Sequence, residues 1–233
     1  MDKTLYLFGD SLTRGVVLDK ATGKYRLTKA SFSSSLATDC QYNIVNCSKL
    51  GLTIEKGLSI MRQKTSQEGY AILEYGGNDC DFFWDQVASN PDFKTQKCKV
   101  PPERFLSLYR QAVEYLRSRN VSPIICTLPP IDAHRYFQWI SRGLDQAAIL
   151  SFLVTEHRIY TWQELYSQLS YQVAKEMGCP VLDLRRLFLQ KQDYRQYLCD
   201  DGIHPNEEGH QLITSEVKQW LQRFFSQDTQ QIA

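Results

Sequence analysis

The fold of this chain is indicated first by residues 4–15, which read Thr4-Leu5-Tyr6-Leu7-Phe8-Gly9-Asp10-Ser11-Leu12-Thr13-Arg14-Gly15. A short apolar, aromatic-rich run stops here at a glycine, an acid and a serine, which is typical of the end of a buried β-strand. In open α/β sheets, ligands bind beyond the carboxyl ends of the strands, so Ser11 is a candidate nucleophile. The same residue types also favour turns and helix N-caps, and the stretch alone leaves that structural role open.

Four further segments have the composition of β-strands, and helical segments separate them. The strand candidates are residues 42–47, 70–75, 122–128 and 180–184, and the helix candidates are residues 29–40, 53–67, 101–119 and the terminal stretch from Pro205. Strands that alternate with helices predict an α/β fold, here a three-layer α/β/α sandwich around a central parallel sheet of about five strands. No stretch rich in Pro, Gly and Ser resembles a linker, so we expect a single domain over residues 1–233.

Residues 131–178 form an aromatic-rich segment between the fourth and fifth strand candidates. Their pattern predicts two or three helices. Helices packed into the core and a helical insertion that flanks or caps the site both fit the sequence, so this choice stays open here.

Charge and hydropathy exclude several classes of partner. The 233 residues carry a formal net charge of +1, with lysine and arginine scattered along the chain, so we expect no nucleic-acid partner. The N-terminus lacks the long apolar segment of a signal peptide, and no later segment is as apolar as a membrane span. We therefore expect a soluble, cytoplasmic protein with a small-molecule substrate; the oligomeric state is not indicated.

The chain has seven cysteines, which are spread out and include no Cys-x-x-Cys pair. This usage predicts reduced, mostly buried thiols and no zinc site. Cys80, beside Asp79, fits either a reactive thiol or a small buried apolar side chain.

The segment Cys199-Asp200-Asp201-Gly202-Ile203-His204-Pro205 holds an acid and an imidazole three residues apart. In a constrained turn, this spacing lets the carboxylate accept a hydrogen bond from one ring nitrogen while the other nitrogen points at a serine. His204 is the candidate base, although a histidine that caps the last helix also fits. The remaining histidines, His134, His157 and His210, lie within predicted helices and are interpreted as structural or surface residues.

A serine nucleophile also needs hydrogen-bond donors for the negative charge that develops on the attacked carbonyl oxygen. Gly51 and Asn78 follow the second and third strands, where a bare backbone N–H and a neutral side-chain amide can supply such donors. With the N–H of Ser11, the predicted oxyanion hole has three donors.

Four short blocks, Gly9-Asp10-Ser11-Leu12, Gly51, Gly77-Asn78-Asp79 and Asp201-Gly202-Ile203-His204, occur in order along the chain. With them the sequence resembles the GDSL, or SGNH, hydrolase family from residue 4 to the terminal helix. The resemblance implies a flavodoxin-like sandwich and a serine esterase with Ser11 as nucleophile, His204 as base and Asp201 as orienting acid. It also implies Ser11, Gly51 and Asn78 as oxyanion donors and requires no cofactor or metal.

Two other classes of function are weighed against this one. Asp10, Asp79, Asp81 and Asp85 cluster near two strand ends and could hold a metal ion in a phosphohydrolase. A binding module that has kept the fold is the non-enzymatic alternative, but it predicts loss of the triad residues, which are all present.

Substrate class is the least determined feature of the sequence. Phe82, Phe83 and Trp84 follow Asn78 closely and are candidate substrate-binding residues. Aromatic rings stack on sugars and also line pockets for acyl chains. We expect a short acyl group on a small alcohol or sugar, and a lysophospholipase or thioesterase acting on longer chains is the alternative.

Overall fold

The computed structural model describes residues 4–39 and 43–230. In this part of the chain a five-stranded parallel sheet is accompanied by a separate two-stranded antiparallel hairpin. The strands are β1 (Thr4–Gly9), β2 (Val16–Leu18), β3 (Tyr25–Leu27), β4 (Asn43–Asn46), β5 (Gly69–Glu74), β6 (Val121–Cys126) and β7 (Val181–Leu182).

Helices cover both faces of the sheet. They are α1 (Ser11–Arg14), α2 (Phe32–Asp39), α3 (Ile54–Lys64), α4 (Trp84–Ser89), α5 (Pro102–Ser118), α6 (Ala133–Ile140), α7 (Gln146–Leu153), α8 (His157–Glu176), α9 (Leu184–Leu189), a 3-10 helix (Tyr194–Tyr197) and α10 (Glu207–Gln230).

Alternate side chains of β1 contact helices on opposite faces of the sheet. Tyr6 and Phe8 pack into the core shared with α3, α5 and α8, whereas Leu5 and Leu7 pack into the core shared with α2, α9 and α10. Successive side chains of a strand point to opposite faces, so a strand that is apolar at every position must be covered on both sides. The predicted three-layer α/β/α sandwich is confirmed.

The parallel sheet has the strand order β4-β1-β5-β6-β7. Counted along these five strands alone, the order is 2-1-3-4-5, which is the flavodoxin-like arrangement that the family resemblance implied. Its topological switch point lies between β1 and β5, which pair in register from Thr4 and Gly69 onward. Ser11 follows β1 and Asn78 follows β5, so the topology brings these two residues to one crevice.

The hairpin of β2 and β3 was not among the predicted strands. Val17 pairs with Arg26 at its centre. Each strand is three residues long and the residues of β3 are exposed, so neither shows a usable alternation of apolar and polar side chains. The predicted strand 42–47 is shorter in the structure, at Asn43–Asn46, and Tyr42 lies outside the described residues.

Residues 131–178 contain the three helices α6, α7 and α8. Phe152 and Ile159 are buried in the core, and both also line the cavity described below. This segment therefore packs into the core and also flanks the site. Among the described residues, no helix combines the length and the apolar character needed to cross a bilayer.

Candidate active site

Ser11, Asp201 and His204 lie in hydrogen-bonding contact although 190 residues separate the first two. Ser11 is at the start of α1, immediately after β1, and the other two residues lie in the turn that precedes α10. Nε2 of His204 is 2.9 Å from Oγ of Ser11, and Nδ1 of His204 is 2.7 Å from Oδ2 of Asp201. The relative exposures of Ser11, Asp201 and His204 are 8%, 0% and 6%. The serine, imidazole and carboxylate form a continuous, buried chain of two hydrogen bonds.

The turn that holds Asp201 and His204 is fixed by its own backbone. The second oxygen of Asp201, Oδ1, accepts hydrogen bonds from the N–H groups of Ile203 and His204, both at 3.1 Å. Gly202 has a φ of +76°, and a Cβ at this position would lie 2.6 Å from the carbonyl oxygen of Asp132. Only glycine fits such a left-handed conformation against neighbouring backbone, which explains the glycine between acid and base.

The environment of Asp201 determines which ring nitrogen of His204 carries the proton. Burial by itself raises the pKa of Asp201, but the hydrogen bond from His204, the positive charge that His204 can take and the two backbone N–H groups together lower it below its ordinary value. The carboxylate is therefore ionised and can only accept, so Nδ1–H of the neutral imidazole donates to it. Nε2 is then free to accept the proton of the Ser11 hydroxyl.

Asn78 and Asp10 form a second hydrogen-bonded pair beside Ser11. Nδ2 of Asn78 donates to Oδ2 of Asp10 across 2.6 Å, while Oδ1 of Asp10 accepts the N–H of Leu12 and caps α1. One amide hydrogen of Asn78 is thereby engaged, and the other remains for a ligand in the crevice. Gly51 lines the same cavity with a φ of +72°.

Asp10, Glu74 and Asp79 are three buried carboxyl groups near the crevice, and the first two line it. Glu74 accepts the hydroxyl of Thr13 at 3.1 Å, and its pKa is raised well above its ordinary value by burial and by the charge of Asp10. Burial also raises the pKa of Asp79 to about 7. The hydrogen bond that its Oδ1 accepts from the N–H of Ile54 acts in the opposite direction and lowers the pKa, but by less. Burial raises the pKa of Asp10 as well, but the hydrogen bonds that it accepts from Leu12 and Asn78 favour its charged form. We infer that Glu74 holds its proton more tightly than Asp10 and that Asp10 is the charged partner of Asn78.

The acids considered for a metal site do not converge. Asp10 binds Asn78, Asp79 caps α3, and Asp81 accepts hydrogen bonds from Trp84, Tyr136 and Lys99. Within residues 4–39 and 43–230, no group of three or more His, Cys, Asp or Glu side chains is arranged to hold a metal ion.

A cavity of about 310 Å³ opens at Ser11, His204 and Asn78. Most of its wall is apolar or aromatic, and much of that wall comes from α7, α8 and the segment after β5. Of the three candidate substrate-binding aromatics, Phe82 and Trp84 line it, whereas Phe83 lies outside the lining, is 49% exposed and stands 5.9 Å from the ammonium of Lys99. Consecutive residues in this loop point in different directions, so a run of three aromatics could not all face one cavity.

Several cavity residues were not predicted from the sequence, and Tyr25, Phe93 and Arg158 are three of them. Tyr25 on β3 packs edge-on against the imidazole of His204, with ring centroids 4.9 Å apart. Phe93 and Arg158 line the cavity from the loop after α4 and from the first turn of α8. None of the three belongs to a local motif, so no signal in the sequence separated them from ordinary surface residues.

Cys80 lines the cavity but is a buried apolar side chain. Its thiol donates to the carbonyl of Gly77, and burial together with the charge of Asp81 raises its pKa well above the ordinary value. A thiol held in its neutral form is a poor nucleophile. The six cysteines within the described ranges, those at 47, 80, 98, 126, 179 and 199, are all free, and Cys40 lies outside these ranges.

The other histidines have contacts consistent with structural or surface roles. His134 is exposed and pairs with Glu156 at 2.8 Å, and His157 stacks on Tyr160. His210 is buried on α10, and its Nε2–H donates to the carbonyl of Val16.

Comparison with known proteins assigns the family. A model of the GDSL-like lipase/acylhydrolase family matches residues 7–212 of this chain. The chain belongs to that family. It is therefore a GDSL hydrolase that acts on esters.

Several GDSL hydrolases are similar to this chain at low identity. Thioesterase 1/protease 1/lysophospholipase L1 of Escherichia coli is 24% identical over 97% of this chain and 86% of its own length. An isoamyl acetate-hydrolyzing esterase of Saccharomyces cerevisiae is 26% identical over 95% of this chain and 87% of its own. The crystal structure of a lipase/acylhydrolase from Enterococcus faecalis shares the fold, with a TM-score of 0.61, 19% identity and coverage of 92% and 93% of the two chains.

Proposed function

We propose that this GDSL hydrolase cleaves carboxylic esters through an acyl-enzyme formed on Ser11. The observation that carries the proposal is the continuous chain of hydrogen bonds from Ser11 through His204 to the ionised Asp201. Ser11 Oγ lies 2.9 Å from His204 Nε2, and His204 Nδ1 lies 2.7 Å from Asp201 Oδ2. This is the geometry that activates a hydroxyl at neutral pH, since the imidazole can take its proton as the oxygen attacks.

The reaction proceeds in two steps that use the same residues. His204 Nε2 takes the Ser11 proton, Oγ bonds to the carbonyl carbon, and the imidazolium then donates that proton to the departing alcohol oxygen. In the second step His204 takes a proton from water, the hydroxide attacks the acyl-enzyme, and the acid leaves as Ser11 regains its proton. Asp201 stays ionised throughout and stabilises the imidazolium. Neither step calls for a cofactor or a metal ion.

The tetrahedral intermediates carry a negative charge on the former carbonyl oxygen. We assign Ser11 N–H, Gly51 N–H and the free amide hydrogen of Asn78 as its donors. The Asn78–Asp10 hydrogen bond of 2.6 Å supports this assignment, because it holds the amide in one orientation before substrate arrives. Donors that are oriented in advance do not have to reorganise during the reaction, which is the source of their effect on rate.

For the substrate we propose a short acyl group on a small alcohol or sugar. A cavity of about 310 Å³ is at the lower end of the range for small-molecule sites, which supports a small ester. The isoamyl acetate-hydrolyzing relative is consistent with a short acyl group. The six free cysteines support a reducing compartment, and we propose the cytoplasm.

One observation favours a second candidate, a thioesterase or lysophospholipase that acts on longer acyl chains. The cavity wall contains Phe82, Phe152, Leu153 and Trp162, which offer few polar partners to a sugar and suit an alkyl chain. The Escherichia coli relative carries both of these activities in its name.

A series of p-nitrophenyl esters from acetate to palmitate, run beside acetylated oligosaccharides, separates the candidates. We expect kcat/KM to be greatest between acetate and butyrate. A maximum at decanoate or beyond would replace this proposal with the second candidate.

The residue assignment is tested by labelling with a fluorophosphonate and mapping the modified peptide. We expect label on Ser11 and none in Ser11→Ala, with activity unchanged by EDTA. Ester cleavage by folded protein with Ser11 unlabelled would show that another nucleophile acts.

A further inference from the structure

Besides the triad, the cavity wall holds three carboxyl groups and one guanidinium, those of Asp10, Glu74, Asp81 and Arg158. The acids already have partners in the protein. Asp10 binds Asn78, Glu74 accepts the hydroxyl of Thr13, and Asp81 forms a 2.7 Å ion pair with Lys99.

Arg158 differs from these acids in its contacts. Its guanidinium carbon lies 5.1 Å from the ring centroid of Phe93 and 5.9 Å from that of Trp162. Across residues 4–39 and 43–230, no acceptor receives a hydrogen bond from the guanidinium and no carboxylate forms an ion pair with it. Contact with ring faces restrains the plane of the group and leaves its N–H edges available.

Arg158 places a positive charge in a mostly apolar cavity wall. Phe82, Phe152 and Ile159 line the same cavity, and such apolar sites depend on a few well-placed polar groups to orient their ligands. The five N–H donors of arginine match the oxygens of a carboxylate or phosphate in a bidentate arrangement.

We propose that Arg158 recognises an anionic group, a carboxylate or a phosphate, carried by the ester substrate. The inference rests on the proposed esterase function and narrows its substrate class to esters that bear a negative charge away from the scissile bond. The charge can belong to the acyl part or to the alcohol part, and the two sources are separated by experiment.

The experiment has an acyl arm and an alcohol arm, each with a charged ester and a neutral partner. The acyl arm compares mono-p-nitrophenyl adipate and suberate with p-nitrophenyl hexanoate and octanoate. The alcohol arm compares 4-acetoxybenzoate with phenyl acetate. For each ester, kcat/KM is measured in the wild type and in Arg158→Gln, so that differences in intrinsic reactivity cancel.

We expect Arg158→Gln to lower kcat/KM for the charged ester of at least one arm about tenfold more than for its neutral partner, which is the loss of one charge-assisted hydrogen bond. The arm that responds identifies the part of the substrate that bears the charge. Arg158→Lys should restore part of the selectivity. Arg142→Gln is the matched control, because Arg142 also stacks on a tryptophan, Trp139, at 3.9 Å, but neither residue lines the cavity.

Two results would overturn the inference. One is an equal loss for charged and neutral esters in both arms, which indicates a packing role, and the other is the same selective loss in Arg142→Gln, which indicates a diffuse effect of net charge. A second measurement does not depend on turnover. Calorimetry gives the affinities of Ser11→Ala, with and without Arg158→Gln, for mono-p-nitrophenyl adipate, 4-acetoxybenzoate and their neutral partners. If the wild type cleaves no ester at all, the proposed function fails, and this binding comparison still decides the role of Arg158.

Discussion

Asp10→Asn tests whether the Asn78 amide is held ready by its neighbour. Asp10 serves two donors at once, since Oδ1 accepts the N–H of Leu12 at 3.0 Å and Oδ2 accepts Nδ2 of Asn78 at 2.6 Å. An asparagine has the same shape but one acceptor oxygen. If that oxygen keeps the cap on α1, its NH₂ group meets the NH₂ group of Asn78, and the two donors repel each other.

The expected loss of kcat in Asp10→Asn can be estimated from two known energies. Loss of a complete oxyanion donor costs about 2.7–4 kcal/mol, or about 10²–10³ in kcat, which is the expectation for Asn78→Ala. A hydrogen bond to a charged group contributes about 1.5–3 kcal/mol, and part of it survives if Asn78 adopts a second orientation. We therefore expect Asp10→Asn to lower kcat about tenfold to a hundredfold, with KM changed little.

A double-mutant cycle on p-nitrophenyl acetate measures how Asp10 acts. If it acts through Asn78, the double variant Asp10→Asn with Asn78→Ala has the kcat of Asn78→Ala alone. Glu74→Gln is the control, because burial and the charge of Asp10 raise the pKa of Glu74 well above its ordinary value and glutamine resembles the protonated carboxyl. Effects that multiply in the double variant would refute the reasoning, as would a loss in Glu74→Gln as large as that in Asp10→Asn.

The remaining predictions concern the acids and the turn before α10. Asp201→Asn should lower kcat about 10⁴-fold by favouring the wrong imidazole tautomer, while exposed Asp200→Asn leaves kcat within about twofold; the reverse result would move the orienting role to Asp200. Burial raises the pKa of Asp79 from 3.8 to about 7. Protonated Asp79 therefore makes its full contribution to the free energy of unfolding below pH 3.8, and this contribution is lost as the pH rises through 7. Chemical denaturation should therefore show the wild type losing about 4 kcal/mol relative to Asp79→Asn between about pH 4 and pH 8, and parallel profiles would contradict this. Gly202→Ala should abolish esterase activity, because its Cβ would lie 2.6 Å from a backbone oxygen at the start of α6, while Gly143→Ala, at a φ of +72° in open space, costs only about 1–2 kcal/mol of stability; equal activity in the two variants would contradict the steric argument.

Much of the fold could be predicted because its signals are local. β1 and β5 are buried on both faces, so each appears in the sequence as a continuous apolar run that ends at a polar turn. The spacing of Asp201 and His204 is also local, since a three-residue turn suffices to bring the carboxylate to the ring. Residues that depend only on their chain neighbours were therefore predicted from the sequence.

Contacts between distant segments were decided only by the tertiary structure. The hairpin of β2 and β3 is too short to show a periodic pattern, yet it places Tyr25 against His204. The pairing of Asn78 with Asp10 and the position of Arg158 in the cavity wall join segments far apart in the chain, and Phe83 turns outward beside two residues that turn inward. Periodicity reports whether a side chain is buried, but the identity of its neighbours depends on how helices and loops pack over the sheet, which no local pattern encodes.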